Sequence, residues 1–317
     1  MRQQIANAVT EEEKMEATGV IRVHIIEAQQ EREVYNVCVA RAQMESDTFH
    51  NYTFDFSQWV SLPHYSRQMS PIFFLSLRKV QIFGFRISAR KQLNFLIDEA
   101  EAMGKDGKET HGPNAVLSMI DYALESHCVP VETFTIHADN CPGQNKNMYV
   151  IGYFLWRVMT GQQTGIEFLM QIPGHARCHV DSGFATLKKA YRRHNTETLD
   201  ELAGVVDRSS VTNVSLRYPQ WIWRDWKSFL SRHFKSFVGI RKYQHFRFTA
   251  GLPGIVIVME KRSGEETHVN LLKDRSFRFL VDTRPEPVQA AGLSLNRKEY
   301  LRRSVSKHVS EKKREQF

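Results

Sequence analysis

At 317 residues the chain exceeds one average domain, so one large domain with an elaborated end, or two packed units, is expected. Its 42% hydrophobic and 25% charged residues fit a globular chain with a true core, while a net charge of +8 and a pI near 9.3 favour a polyanionic partner such as DNA, RNA or an acidic membrane surface. The four cysteines, Cys38, Cys128, Cys141 and Cys178, form no C-x-x-C pair, which argues against a zinc ribbon. With no apolar run of about 18 residues and a polar start from Met1 to Lys14, neither a membrane span nor an export signal is expected. An intracellular chain with free thiols follows.

Residues 11–45 mix Glu, Lys, Ala and Arg with Ile21, Val23, Ile25 and Ile26. They predict a long helix, although the Val-Ile stretch also fits a short strand. Tyr52–Phe56 predicts a strand leaving through Ser57-Gln58, and Trp59–Ser76, with two prolines, an irregular connection. Val80–Ser88 and Gln92–Ile97 predict a hairpin, Gly104–Pro113 a loop and Asn114–Ser126 a helix. Next come a strand over Val131–His137, a helix from about Asn145 to Gly161, a strand over Ile166–Ile172 and a basic-ended helix over Ser182–Arg193. A hairpin beside strands joined by helices is a mixed α/β sheet.

Past residue 200, Tyr218, Trp221, Trp223, Trp226, Phe229, Phe234 and Phe237 crowd together, more as core than as a base-stacking platform. Another hairpin is predicted over Gly254–Lys261 and Thr267–Leu272. The tail from Asn296 carries eight Lys/Arg against three Glu and reads as a solvated helix or a disordered end. This gives a helical lead-in at 1–48, a core at 49–200, an extension at 201–285 and a basic tail at 286–317.

The densest chemistry lies in HADNCPGQNKN, residues 137–147, where an apolar strand delivers Asp139 to its carboxyl end, the edge at which open α/β sheets gather ligands. Asp139 and Asn140 could instead only cap the next helix. Asp55 ends a hydrophobic strand, with Phe54 and Phe56 facing the other way, and Asp181 stands just before a helix, where an N-cap role competes. The three acids are spaced by 84 and then 42 residues. Carboxylates converging from separate strands suit Mg2+ or Mn2+, and two such ions about 3.5–4 Å apart can serve phosphoryl transfer. Asp98, Glu99 and Glu101 are alternative ligands or plain surface charge. His137, His175 and His179 invite a zinc phosphoesterase reading, but their spacing matches no zinc motif. His175, Asn140, Gln144 and Lys146 are candidates to support the acids or touch phosphate. Lys188, Lys189, Arg192, Arg193 and Arg247, the last beside Tyr243 and His245, are candidates for nucleic-acid contact, with a solvated face as the plain alternative.

The 137–147 segment resembles the signature of an uncharacterised domain found in transposon-derived proteins. The likeness continues through YTFDFSQ (52–58), Leu62-Pro63-His64, NFLIDE (94–99), GPNAVL (112–117), FLWRVMTG (154–161), Gly174-His175 with Asp181, and Lys242–Phe248. That domain in turn resembles transposases of the RNase H-like, Asp-Asp-Asp/Glu type. The resemblance implies a five-stranded RNase H-like mixed sheet with flanking helices. It makes Asp55, Asp139 and Asp181 the catalytic, metal-holding acids, with DNA as the partner, a nuclear location, no membrane association, and homo-oligomerisation left open. The expected activity is metal-dependent DNA cleavage or strand transfer, intact or degenerate. The alternative is a non-catalytic nucleic-acid-binding or interaction protein that keeps the fold.

Overall fold

The computed structural model describes residues 10–67, 70–172, 178–262, 264–281 and 283–316. The predicted long helix is α1 (Glu11–Met44), begun by a capping box in which Thr10 and Glu13 each accept the other's backbone N–H. Ala28, Glu31, Val34, Tyr35, Val39 and Ala42, spaced by three or four, form its buried stripe. Then follow β1 (Asn51–Leu62), a single helical turn α2 (Ser70–Phe73), β2 (Arg78–Ile87), β3 (Gln92–Asp98), α3 (Pro113–Ser126), β4 (Thr133–Ala138), α4 (Met148–Met159) and β5 (Gly165–Met170). The rest of the chain forms α5 (His179–Arg193), α6 (Leu199–Ser209), β6 (Asn213–Arg217), α7 (Trp226–His233), β7 (His245–Thr249), β8 (Ile255–Met259), β9 (Thr267–Asn270) and α8 (Leu295–Tyr300).

The molecule is α/β, with one mixed sheet ordered β6-β3-β2-β1-β4-β5-β7-β8-β9. Nine strands replace the expected five because residues past 200 extend both edges: β6 joins β3 in parallel, and β7 to β9 continue antiparallel from β5. In the centre, β1, β2 and β3 form an antiparallel meander, while β4 runs parallel to β1 and β5 parallel to β4. Tyr52, Phe54 and Phe56 alternate onto one face, where α3, α4 and α7 close a core containing Trp156, Trp221, Trp223 and Trp226. The aromatic crowd past residue 218 is therefore core, as its size demands. The opposite face carries Thr53, Asp55, His137 and Asp139, and is covered by α1, α5 and α6.

Three local expectations change. β1 does not exit at Ser57-Gln58. It passes through a register shift between Ser57 and Val60 and continues to Leu62, because Val60 and Leu62 have a second apolar cluster to enter, so Asp55 lies mid-strand. Helix α5 begins at His179, three residues earlier than predicted, which puts Asp181 inside its first turn rather than before it. The tail is helical and largely exposed, as a solvated helix would be, but it is anchored. Leu301, Val305 and Val309 are buried at four-residue intervals, Arg297 pairs with Glu99 at 2.7 Å, and Lys313 pairs with Glu197 at 2.8 Å. Buried carboxylates need cations, and the basic tail supplies them.

Helix α5 sits close against the sheet at Gly84, the cross-strand partner of Asp55. A Cβ there would stand 2.5 Å from Phe184 Cζ and 2.7 Å from Val180 Cγ2. Gly84→Val is expected to destabilise the protein by roughly 1–3 kcal/mol through overpacking. Chemical denaturation reads this as a lower midpoint; an unchanged midpoint would mean that α5 is not seated at this point.

A candidate carboxylate site at the sheet edge

The β1–β4 pairing matches Asn51 with Thr135 and Thr53 with His137, an offset of 84 residues. Asp55 and Asp139 each lie two residues beyond the Thr53–His137 pair, so strand alternation puts them on the face that carries Thr53 and His137. Asp181 arrives separately, carried over β1 and β2 by α5. All three charges act on one neighbourhood. Burial first, then the charge of Asp139, and more weakly that of Asp181, push the Asp55 carboxyl up to about 7. The Cys178 thiol lies among them: burial and the charges of Asp181, Asp55 and Asp139 raise its pKa, so it is a neutral thiol.

Each acid uses one oxygen on its own turn. Asp55 Oδ1 accepts the Phe56 N–H at 2.7 Å, and Asp139 Oδ1 accepts from the Cys141 N–H at 3.1 Å and from Asn145 Nδ2. Asp181 Oδ2 accepts the Cys178 N–H at 2.8 Å. Among the described residues the other oxygen of each carboxylate has no hydrogen-bond partner. Among the described residues no group of three or more His, Cys, Asp or Glu side chains is arranged to hold a metal ion.

Helix capping does not account for Asp139 or Asn140, because the cap of α4 is Asn147, whose Oδ1 accepts from the Tyr149 and Val150 N–H groups. Asn140 instead crosslinks the loop, donating to the Gln171 carbonyl and to Gln244 Oε1. Lys146 turns inward: its ammonium donates to Asn140 Oδ1 at 2.7 Å and to the Arg241 carbonyl at 2.9 Å, and burial pulls its pKa down to about 8. Its partners tie the Asp139 loop to the segment around Gln244. Gln144 is partly exposed and its carbonyl accepts from Asn147 Nδ2. His175 lies outside the described residues.

Tyr35 of α1 fixes the other side of the site. Its hydroxyl accepts the His179 N–H at 2.8 Å, and its ring meets His137 and His179 edge-on at 4.9 and 5.7 Å. His137 is buried and its pKa falls to about 3, from desolvation and then the nearby His245, so it is a neutral imidazole packed against Tyr35. Neither Tyr35 nor Cys178 stands out in sequence, since Tyr35 acquires its place when α1 crosses the sheet and Cys178 when α5, which it caps, packs there. Asn145, which holds Asp139, does lie within the polar 137–147 segment.

Asp98 and Glu99 belong elsewhere. Asp98 is buried against Arg78 at 2.7 Å and Glu99 against Arg297, while burial and the charge of Asp98 raise Glu101 to about 7. They neither join the cluster nor serve as surface charge. On α5, Lys189, Arg192 and Arg193 are exposed and Lys188 is half-buried between the charges of Asp181 and Arg192. Arg247 is held by both oxygens of Glu266 at 2.7 and 2.8 Å. Its strand neighbour His245 is buried against Glu31 of α1, and Tyr243 is buried too. On β7, His245 is thus covered by α1, while Arg247 stays partly exposed.

A large mixed sheet with Asp55 inside β1, Asp139 just past β4 and Asp181 on α5, the last two adding to burial in raising the pKa of the first, defines an α/β protein with a candidate acidic centre. The chain belongs to the family described as a domain of unknown function (DUF7869), whose model matches residues 79–266. That span holds Asp139 and Asp181, while Asp55 precedes it. No curated protein and no solved structure matches the chain. Among the described residues no helix is long and apolar enough to cross a membrane.

Proposed function

We propose that the chain is a divalent-metal-dependent DNA-cleaving and strand-transferring protein of the RNase H-like transposase type, with Asp55, Asp139 and Asp181 as its acids. The observation that supports this reading is that Asp55 and Asp139 each lie two residues beyond the Thr53–His137 pair of β1 and β4, and that, after burial, the charges of Asp139 and, more weakly, Asp181 on α5 raise the Asp55 pKa. The inner strand order β3-β2-β1-β4-β5, a meander followed by two helix-linked parallel strands, is the order this fold class requires, and it supports the same reading.

The donor set fits Mg2+ or Mn2+. It offers carboxylate oxygens, each acid keeping one uncommitted, while the nearby thiol is held neutral and the nearby buried imidazole packs on Tyr35. When bound, such ions would supply Lewis-acid stabilisation of a phosphoryl transfer. The protein's own part is to fix the acids. Asn145 and the Cys141 N–H orient Asp139, Tyr35 and Gly84 seat the first turn of α5, and the Lys146–Asn140–Gln244 network holds the loop. The exposed cations of α5 would take flanking phosphates, a salt-sensitive contribution. Purified protein with Mg2+ or Mn2+ and an end-labelled duplex tests the reading. Cleavage that chelator abolishes is expected, whereas salt-dependent binding without cleavage would select the non-catalytic alternative.

A further inference from the structure

A cleft of about 620 Å3 opens where the far end of β1 meets the C-terminal end of α5. Its size falls within the range of small-molecule pockets, about 300–1,000 Å3. Its walls include Phe73, His64, Tyr191, Lys79 and Arg192, and among the described residues no Asp or Glu lines it. His64 stacks on Tyr191 at 4.0 Å, and the Tyr191 hydroxyl donates to the Ser61 carbonyl at 2.6 Å, so this wall is built and rigid.

Phe73, which lines the cleft, is 67% exposed; its ring neighbour Phe74 is 84% exposed; and Trp59, 54% exposed, has its ring centroid 5.2 Å from Nζ of the lining Lys79. The other four tryptophans are all buried. Large rings left in water beside cations that have no carboxylate partner among the described residues suit a ligand with flat faces and negative charge.

The cleft is also joined to the carboxylates. Helix α5 runs from Asp181 to Tyr191, about 15 Å at 1.5 Å per residue. Lys188, Lys189 and Arg192 lie along it, and Lys188 feels both Asp181 and Arg192. We infer that the cleft receives unpaired nucleotides of a single DNA strand, stacked against Phe73, Phe74 and Trp59 with their phosphates on Lys79 and Arg192. At about 3.4 Å per stacked nucleotide they lie some four or five nucleotides from the phosphate at the acids. The inference rests on the DNA-cleaving reading for its choice of DNA.

The test is binding of fluorescein-labelled dT12 to the full chain in EDTA, so that no metal chemistry enters, with tryptophan emission from unlabelled dT12 as a second readout. Tight, salt-dependent binding with quenching of the single exposed tryptophan is expected. Phe73→Ala with Phe74→Ala should weaken binding about tenfold or more, since each exposed ring is free of the core. Lys79→Gln and Arg192→Gln should each reduce the salt slope by about one. Asp139→Asn should bind dT12 as the wild type does, so loss of cleavage and loss of strand binding separate cleanly. Unquenched emission, wild-type affinity in the double Phe variant, or tighter binding of rU12 or of a blunt 12-base-pair duplex would overturn the inference.

Discussion

Asp139→Asn is expected to lower metal-dependent DNA cleavage by about a thousandfold or more while leaving the fold in place. Asp139 stands just past the carboxyl end of β4, two residues beyond the Thr53–His137 pair as Asp55 is, and keeps one oxygen clear of its own loop. Removing its charge from a two-ion arrangement withdraws several kcal/mol of charge stabilisation, and about 1.4 kcal/mol is a factor of ten in rate. Asparagine retains an oxygen for the Cys141 N–H, so the turn that holds the loop survives. The measurement is single-turnover cleavage of a labelled duplex in Mg2+ and in Mn2+, with circular dichroism as the check on folding. Equal cutting by wild type and variant would remove Asp139 from the chemistry.

The second large effect concerns stability without metal. The Asp55 carboxyl titrates near 7 in the folded chain, against about 4 for an ordinary aspartate. The unfolded chain therefore loses its proton first as pH rises. The favourable contribution of the protonated folded form is complete below about pH 4, declines above it, and is gone above about pH 7. Three pK units correspond to about 4 kcal/mol, and partial solvent access at Asp55 reduces the expected loss to about 1–3 kcal/mol. Asp55→Asn carries no charge, so the variant should melt several degrees above the wild type at pH 8 in EDTA and match it near pH 4. Added Mg2+ or Mn2+ should raise the wild-type melting temperature at pH 8 and leave that of the variant nearly unchanged. A variant less stable than wild type at pH 8 would show that Asp55 is not repelled by its neighbours.

Most of the central sheet is legible in the sequence because its signals are local. Alternation in Tyr52–Phe56, the paired apolar runs at Val80–Ser88 and Gln92–Ile97, and helical spacing in Asn114–Ser126 each predict an element close to the observed one. The outer strands are harder. β6 is a five-residue, half-exposed strand whose partner β3 lies more than a hundred residues earlier, so no nearby pattern announces the pairing. Ser57-Gln58 looks like an exit because polar residues usually end strands, whereas a bulge lets β1 carry on. The acids at Asp55 and Asp139 can be found from their settings in sequence. Their exact alignment depends on strand register, and the inward turn of Lys146 depends on the loop around Gln244, neither of which any window of sequence contains.

The account turns on whether these carboxylates act as one ion-holding centre. Titration of Mn2+ into the chelator-treated protein, followed by the loss of free-ion paramagnetic resonance signal, measures this directly. The wild type should take up Mn2+ at a site competed by Mg2+, and Asp55→Asn, Asp139→Asn and Asp181→Asn should each weaken that uptake severely. Wild-type uptake in any of the three, or no uptake by the wild type, would contradict the account.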